Sequence, residues 1–533
     1  MKTSLTYMLY MFCCCLYAQN YTGDLALNNP STAYNYSSKP KIGANGFQFE
    51  LTNANINSKF SEFGSGFFLN KLIMVSSKKI GGLAKIDPNT NEAYKDLFCL
   101  DVMENGQLST PLLFSRILNT NDSEDQLTFS PDEKTVYFTR SDKENSLQYK
   151  LYKAVLEENS HGNWMLQEQL LPEIENASIE NPFVGPNGDK LYFASNMSDS
   201  YGGYDLYVAE IKQDGTLGTP ENLGPNVNTP ADEKYPALSL DGVYLYFASK
   251  GHENLGGYDI FVSRILEKGP KAPRNMGNTI NTAYDEVAYF LTSRTKGYLS
   301  SNRPSGVGNY DIYIATNKEV TQVLEGFAVH TDSQIHLPNT VVVLKDEDGN
   351  EVARQLTDTK GKFSFNVIPF EVYSISTSKA GYVDKTFRFT ANEGSSTTYK
   401  KNLDMDTTPP VIEKVNDNLA IVIENIYFDT AKWRLKEESH ISLNKIVKVL
   451  TENPDMRLSI NAHTDNVGRD AYNMNLSNKR AASAVSFLVN NGIDKNRLEF
   501  RGFGETQPKI DCKTNCTAEE LQANRRVEFI ILD

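Results

Sequence analysis

Two neighbouring stretches set the fold and chemistry of the C-terminal region: Asn461-Ala-His-Thr-Asp-Asn-Val-Gly468 and Asn473-Met-Asn-Leu-Ser-Asn-Lys-Arg480. They place Asp465 and Arg480 fifteen residues apart, on either side of a predicted strand-to-helix turn. A carboxylate accepts hydrogen bonds from an ammonium group, and the planar guanidinium of arginine offers two parallel donors to a carboxylate. The pair therefore predicts a site for a zwitterionic ligand that carries both charges at a fixed separation.

Apolar periodicity around these stretches predicts a βαβαβ-type α/β domain at 419–533. Apolar residues recur at helical spacing over 443–450, before Pro454, and again over 481–488. The predicted strands are 421–428, the stretch that begins with Leu458 and Ile460, 498–501 and 527–532.

Several motifs follow one another along this region. They are Ile426-Tyr-Phe-Asp429, His463-Thr-Asp465 with Gly468, Asn473-x-x-Leu-Ser-x-x-Arg480-Ala481, Arg501-Gly-Phe-Gly-Glu505 and Asn524-Arg-Arg526. In this order they resemble the C-terminal peptidoglycan-binding domain of the OmpA family. The resemblance implies peptidoglycan as the ligand.

The same resemblance implies that Asp465 and Arg480 hold the free amine and carboxylate of diaminopimelate in the stem peptide of peptidoglycan. It implies a pocket shaped by neighbouring residues, with Leu476 as a wall and Arg526 as a ligand contact or a brace of the loop: Phe428, Asp429, Thr464, Asn473, Leu476 and Arg526. The alternative is that Asp465 and Arg480 only pair with each other, as nearby opposite charges often do. His463 has no second histidine or cysteine at ligand spacing, so a structural role is predicted for it.

The cysteines predict one disulfide and no metal site. Cys512 and Cys516 are close enough in sequence to bridge in an oxidising compartment, and two free thiols are the alternative. A metal site at these two thiols would need two further ligands. Cys99 is left alone and is predicted to be a small, buried apolar residue. Residues 13–15 are cysteines within a predicted export signal, where the Leu-(Ala/Ser)-(Gly/Ala) triplet that precedes a lipidated cysteine is absent, so lipidation is disfavoured.

The chain has 533 residues and a formal net charge of −14. This length predicts several domains, and the acidic balance without a basic stripe excludes nucleic acid as an expected partner. Residues 1–18 contain Lys2 followed by an apolar run that ends at Ala18, which predicts a signal peptide. No later stretch has the twenty uninterrupted apolar residues of a transmembrane span. Residues 19–48 form an N-terminal segment.

A repeat with a period near 54 residues occupies 49–320. Its clearest copies run from Asn181-Pro-Phe-Val-Gly-Pro-Asn-Gly to Gly202-Gly-Tyr-Asp-Leu-Tyr-Val208, and from Tyr235-Pro-Ala-Leu-Ser-Leu-Asp-Gly to Gly256-Gly-Tyr-Asp-Ile-Phe-Val262. Five copies are marked by residues spaced 54, 55, 54 and 52 apart: Asp96, Lys150, Asp205, Asp259 and Asp311. Short alternating runs between Gly-containing turns predict four-stranded antiparallel units and favour a β-propeller. The units resemble TolB-like propeller repeats.

The repeated Gly-Gly-Tyr-Asp signature has two interpretations. Recurring carboxylates next to aromatic rings are compatible with a metal or sugar site. A residue that recurs in every unit more often serves the geometry of the repeat, here a turn that enters a strand with tyrosine packed between units, and this interpretation is preferred.

Residues 321–405 change character to short strands with turns at the spacing of a β-sandwich. Thr357-Asp-Thr-Lys-Gly-Lys-Phe-Ser-Phe365 and Lys379-Ala-Gly-Tyr382 resemble the carboxypeptidase regulatory-like domain, which implies a non-catalytic spacer. Residues 406–418 contain Pro409-Pro410 among polar residues and are predicted to be a linker.

Together these features predict a non-enzymatic scaffold of the periplasm, associated with the outer membrane and cell wall, with no catalytic residue and no cofactor. The domain order is similar to that of Bacteroidetes envelope proteins, including an accessory component of their type nine secretion system. The predicted partners are peptidoglycan and, through the propeller, an envelope protein. The alternative is that the propeller is a carbohydrate-binding or hydrolytic module retained at the cell wall.

Overall fold

The computed structural model of the chain describes residues 45–532 except 79–84, 88–90, 104–106, 144, 161, 319, 416–417, 424–425, 429–431 and 513–515. The predicted signal peptide, the N-terminal segment as far as residue 44, and Asp429 of the predicted pocket lie outside the described residues. The chain divides into two compact units, the first formed mainly by 51–264 and 270–315 and the second mainly by 316–533.

The first unit contains five antiparallel sheets. Its strands are β1 (Gln48–Asn53), β2 (Glu62–Phe68), β3 (Lys71–Ser76), β4 (Asp96–Asp101), β5 (Leu112–Leu113), β6 (Glu124–Phe129), β7 (Thr135–Ser141), β8 (Tyr149–Leu156), β9 (Trp164–Gln169), β10 (Ile179–Val184), β11 (Lys190–Ser195), β12 (Asp205–Glu210), β13 (Glu221–Asn222), β14 (Glu233–Leu238), β15 (Tyr244–Ser249), β16 (Asp259–Leu266), β17 (Gly269–Pro270), β18 (Arg274–Asn275), β19 (Glu286–Leu291), β20 (Lys296–Ser301) and β21 (Asp311–Lys318).

Each repeat of the sequence forms one of these sheets. Four sheets follow chain order, β2–β5, β6–β9, β10–β13 and β14–β18, whereas the fifth has the order β1-β21-β20-β19 and takes its fourth strand from the start of the described chain. The recurring residues from Asp96 to Asp311 lie at or next to the start of the third strand of their sheets. Gly188 and Gly242, with φ of 76° and 73°, form the turns that lead into β11 and β15.

The first strands of the five sheets lie beside one another. β2 contacts β6, β6 contacts β10, β10 contacts β14, β14 contacts β19, and β19 contacts β2, so the neighbour relation closes on itself. Apolar side chains fill the space between sheets. One example is an aromatic cluster in which Phe68, Phe114, Phe129 and the fully buried Trp164 have ring centroids 5.1–6.3 Å apart.

The second unit begins with two sheets that share one core. The strands are β22 (Gln322–His330), β23 (Val341–Lys345), β24 (Glu351–Leu356), β25 (Lys362–Val367), β26 (Val372–Ser378), β27 (Lys385–Thr390), β28 (Thr397–Lys400) and β29 (Leu403–Met405). One sheet has the order β25-β22-β28, with β29 also on β22, and the other has the order β24-β23-β26-β27. Their buried faces meet through Leu324 and Phe363 of the first sheet and Val342 and Ile375 of the second.

The C-terminal part of this unit is an α/β layer. Its elements are β30 (Val411–Val415), β31 (Asn418–Val422), α1 (Glu437–Glu452), β32 (Arg457–His463), α2 (Asp470–Asn490), the 3-10 helix Lys495–Arg497, β33 (Leu498–Gly504), α3 (Ala518–Asn524) and β34 (Val527–Leu532). The sheet order is β30-β31-β34-β32-β33, with β32 and β33 parallel. Leu443, Ile446 and Leu450 of α1 and Ala484 and Leu488 of α2 are buried in a common core with this sheet.

Two predictions for this region differ from the structure, and one helix was not predicted. The predicted linker at 406–418 contains β30, which pairs with β31 and so belongs to the sheet. The predicted strand at 421–428 is shorter, since β31 ends at Val422. Helix α3 was not predicted, because only Asn524 of its residues is buried and it carries no apolar stripe; its start is stabilised by a capping box between Thr517 and Glu520.

Candidate functional site

Asp465 follows β32 and Arg480 lies in α2, as the strand-to-helix prediction required. Backbone pairing fixes the loop between them, because the Thr464 N–H donates to the Gly504 carbonyl (2.9 Å) at the end of β33. The side chains of Asp465 and Arg480 are both largely buried, with the residues 9% and 8% exposed. The Asp465 carboxylate also accepts the Val467 N–H at 3.1 Å, which orients it at the loop.

Asp465 pairs with Arg525, not with Arg480. Nη1 of Arg525 lies 2.5 Å from Oδ2 of Asp465, and the Arg525 guanidinium also donates to Oε1 of Gln522. Among the described residues Arg480 forms no ion pair. The alternative that Asp465 and Arg480 only neutralise each other is therefore not the arrangement in the structure.

The Arg480 guanidinium is held from two directions by the loop before α1. Its Nε donates to the Lys432 carbonyl (3.1 Å), and its Cζ lies 5.0 Å from the centre of the Phe428 ring. Within the described part of the chain, its Nη1 and Nη2 atoms have no hydrogen-bond partner. Burial lowers the pKa of Arg480, attraction to Asp465 opposes this, and repulsion from Arg525 adds to it. Among the described residues the site contains two carboxylates, Asp465 and the Glu505 group that accepts from Asn473, and two guanidinium groups, so their formal charges balance.

The other predicted pocket residues on α2 and its preceding loop are buried. Asn473 is 2% exposed, and its side-chain amide donates to Glu505 Oε2 (2.5 Å) and to the carbonyls of Asp465 (3.4 Å) and Val467 (3.3 Å). It therefore clamps the loop that carries Asp465. Thr464 is buried with a hydroxyl that has no partner among the described residues, and Leu476 is buried on α2.

Arg526 has the contacts of a brace. Its Nε donates to Glu528 Oε1 (2.8 Å), and both Nη atoms donate to the Gln507 carbonyl (3.1 Å). Glu528 also lies 3.4 Å from Nε2 of His463, which is fully buried and stacked on Phe503 at 5.2 Å. The close approach of His463, followed by the hydrogen bond and charge of Arg526, lowers the pKa of Glu528 to about 2. These contacts match the structural role predicted for His463.

Cys512 and Cys516 form a disulfide, with Cα atoms 5.1 Å apart. The bridge lies next to the site, because Nδ2 of Asn466, the residue after Asp465, is 3.6 Å from Sγ of Cys516. Cys99 is outside any disulfide and is partly exposed rather than buried as predicted. Burial of part of its surface raises the pKa of the Cys99 thiol.

The Gly-Gly-Tyr-Asp residues of the first unit make contacts that serve the sheets. Oδ2 of Asp205 accepts the Tyr201 N–H (2.7 Å) and Nδ2 of Asn222 (2.7 Å), so it joins a loop to the last strand of its own sheet. A side chain at Gly202 would overlap the backbone of Ala231 at the entry to the next sheet. The tyrosine also reaches the next sheet, since Nζ of Lys234 lies 3.5 Å from the Tyr204 ring centre.

The first unit has a cavity of about 730 Å³ lined mainly by the first strands of all five sheets, by the turns that follow these strands, and by β20. Its wall contains aromatic and aliphatic side chains from several sheets, among them Phe67, Phe129, Phe183, Leu238, Phe290 and Tyr298. Polar groups such as Ser130 and Thr292 lie between them. A mainly apolar recess with a few polar groups is typical of a binding surface.

Sequence reasoning did not identify Arg525 and Glu505 as parts of the site. Arg525 lies in the quoted Asn524-Arg-Arg526 motif, where only the second arginine was assigned to the pocket. Glu505 ends the Arg501-Gly-Phe-Gly-Glu505 motif. Two adjacent arginines at the start of a strand point in different directions, which was a signal that one of them faces Asp465.

In the described part of the chain, no helix combines the length and apolar character needed to cross a bilayer.

Comparison with known proteins matches the OmpA family model to residues 427–521. The chain is 35% identical over 127 residues to outer membrane porin F of Pseudomonas aeruginosa, an alignment that covers 24% of this chain and 34% of the porin. It is 38% identical over 106 residues to outer membrane protein A of Bordetella avium, with 20% and 53% covered. The chain thus spans about a third to a half of the length of these two relatives.

The solved structure of the peptidoglycan-associated lipoprotein of Burkholderia pseudomallei aligns with 22% identity and a TM-score of 0.19, covering 20% of this chain and 91% of that protein. The family match and the sequence relatives identify residues 427–521 as an OmpA-family domain.

Proposed function

We propose that the chain is a non-enzymatic scaffold of the bacterial periplasm that binds peptidoglycan noncovalently through its C-terminal domain and an envelope protein through its first unit. Asp465 and Arg480 hold the amine and carboxylate of a diaminopimelate side chain. The OmpA-family domain at residues 427–521 supports this assignment.

The observation that carries the proposal is the state of Arg480. The residue as a whole is 8% exposed, yet Nη1 and Nη2 of Arg480 keep contact with solvent and have no hydrogen-bond partner among the described residues. Both donors are therefore open to a ligand. The carboxylate of a ligand can accept from the two nitrogens in parallel.

The ligand amine is proposed to bind Asp465, whose two oxygens provide more acceptor positions than Arg525 and Val467 occupy. Arg525 remains at the site and holds the Asp465 carboxylate in position. Asn473 and Thr464 support this loop rather than contact the ligand, and Arg526 braces the strand behind it.

For the first unit, we infer a five-bladed β-propeller from the cyclic order of the five first strands and from the way β1 completes the last sheet. Its partner surface is proposed to include the 730 Å³ cavity. The two sheets at 322–405 are proposed to be the carboxypeptidase regulatory-like spacer, and a role beside a secretion system remains part of this proposal.

The test is co-sedimentation of the full chain with purified peptidoglycan. Replacement of either charged residue, Asp465→Asn or Arg480→Gln, should reduce the bound fraction at least tenfold, because each change removes the charge that contacts one end of the zwitterion and leaves a neutral amide.

The control is Arg457→Gln, which removes an exposed arginine that pairs with Glu499 on the same sheet. It should bind like the unaltered chain. If all three variants sediment equally well, the assigned pocket is wrong.

A further inference from the structure

A half-exposed tryptophan lies at the edge of the Arg480 pocket. Trp433 is 48% exposed, whereas Trp164, the other tryptophan of the chain, is fully buried. A tryptophan left at the surface is a frequent mark of a contact site, because its large ring gains much free energy when a ligand covers it.

Trp433 is held in place by the same residues that form the pocket. The loop that carries it is closed by a backbone bridge between Phe428 and Leu435. The preceding residue, Lys432, accepts the hydrogen bond from Nε of Arg480. Nζ of Lys479 lies 4.2 Å from the centre of the Trp433 ring. Since Lys479 and Arg480 are consecutive residues of α2, one helical turn fixes both the ring and the pocket guanidinium.

The ring has a preferred kind of ligand. The Lys479 ammonium lies over one face of the Trp433 ring in a cation–π contact. Much of the indole surface stays exposed to solvent. The faces of an aromatic ring carry partial negative charge, and the C–H groups on one side of a pyranose carry partial positive charge, so the two surfaces attract each other. The nearby ammonium can donate a hydrogen bond to a sugar hydroxyl or to an N-acetyl carbonyl.

We propose that Trp433, supported by Lys479, is a sugar subsite that stacks on a hexosamine ring of the glycan strand whose stem peptide occupies the Arg480 pocket. The inference rests on the proposed function, since it assigns a second contact to the same ligand.

The test compares two soluble ligands on the full chain, a diaminopimelate-containing tetrapeptide and the same tetrapeptide carrying its disaccharide. The unaltered chain should bind the disaccharide form about tenfold more tightly, which is the gain expected from one good aromatic contact. Trp433→Ala should bind both ligands with the affinity of the free peptide, and Trp433→Phe should keep part of the difference. Phe500→Ala, which removes an aromatic residue of matched exposure (49%) on β33, should behave like the unaltered chain.

The outcomes separate the two proposals. If the chain binds neither ligand, or if Asp465→Asn leaves both affinities unchanged, the proposed function fails. If the chain binds both ligands equally tightly, or if Trp433→Ala weakens both by the same factor, the sugar subsite is wrong and the peptide pocket stands.

Fluorescence gives an independent measurement, because Trp164 is buried and Trp433 supplies the accessible emission. Acrylamide quenching of the Trp433 emission, obtained as the difference from Trp433→Phe, should decrease when the disaccharide peptide binds and stay unchanged with the free peptide. Equal protection by both ligands would mean that the stem peptide covers the ring, which would overturn the assignment to the sugar.

Discussion

Glu62 is a buried carboxylic acid at the start of β2. It is 1% exposed, and the Ser58 hydroxyl donates to it at 2.5 Å. Glu124 and Glu286 occupy equivalent positions in other sheets and pair with Arg140 and Arg303, whereas Glu62 has no cation partner among the described residues. Burial raises the pKa of Glu62 from 4.5 to about 7, against the effect of the Ser58 hydrogen bonds.

This shift predicts that the first unit loses stability as the pH rises. A carboxyl group with a raised folded-state pKa contributes stability below its unfolded value of 4.5, and the contribution disappears as the pH passes about 7. The change is on the order of 3 kcal/mol. Glu62→Gln removes the titration, so the variant should gain on the unaltered chain by up to about this amount between pH 5 and pH 8.

Urea unfolding followed by Trp164 emission in a Trp433→Phe background measures this effect, because Trp164 then reports on the first unit alone. Glu173→Gln, at an exposed carboxylate in the same unit, is the control. A constant difference between Glu62→Gln and the unaltered chain across this pH range would contradict the prediction.

In the candidate site, the sequence predicts where residues lie on neighbouring elements but not which distant residues contact each other. The positions of Asp465 just after a strand and of Arg480 in the following helix were predictable from the apolar periodicity on either side of the turn. The Asp465–Arg525 ion pair was not, because it joins residues sixty positions apart and depends on how the chain returns through α3. The support role of Asn473 was also hidden, since its partner Glu505 lies in the turn after β33, far along the chain from α2.

Secondary-structure elements were predictable where one face is buried. The five repeats produced recognisable strands because apolar residues alternate between Gly-containing turns, and α1 and α2 were predictable from their apolar spacing. β30 was not predicted because most of its residues are exposed and the Pro409-Pro410 pair just before it is typical of a linker. Outer strands such as β5 and β13 are two residues long and carry no periodic pattern.

The loop between β33 and α3 is closed by the Cys512–Cys516 disulfide, and its reduction should destabilise the C-terminal domain. The bridge spans four positions, for which chain entropy gives a stabilisation of roughly 2 kcal/mol. Chemical unfolding with and without reductant measures the change through helical circular dichroism, because in the described residues the α-helices all lie in the second unit. A Cys512→Ser/Cys516→Ser double variant is the control and should not respond to reductant. An equal response of both proteins would place the effect elsewhere in the chain.

The two-sheet region and the C-terminal domain of the second unit are packed together, although the sequence predicted a linker between them. The predicted linker was expected to separate the two-sheet region from the C-terminal domain. Instead, β30 belongs to the C-terminal sheet, and Ile441 of α1 is buried together with Ala328, Leu337 and Met405 of the two-sheet region. Lys445 of the same helix donates to the Gly381 carbonyl at 3.4 Å. The two parts therefore share a small core, which a flexible linker would not require.

The first unit is closed by a strand from the far end of its own sequence, and this closure should control its stability. β1 is the outer strand of the last sheet, next to β21, although about 260 residues separate the two. A chain that begins at Ala54 lacks β1 and exposes the hydrogen-bonding edge of β21. Loss of a six-residue strand should cost roughly 3 kcal/mol, since each backbone hydrogen bond contributes about 1 kcal/mol.

A chain that begins at Phe47 keeps β1 and should retain the full stability. Urea unfolding followed by Trp164 emission in the Trp433→Phe background measures the difference. Equal urea midpoints for the two truncated chains would show that β1 does not contribute to the stability of the first unit.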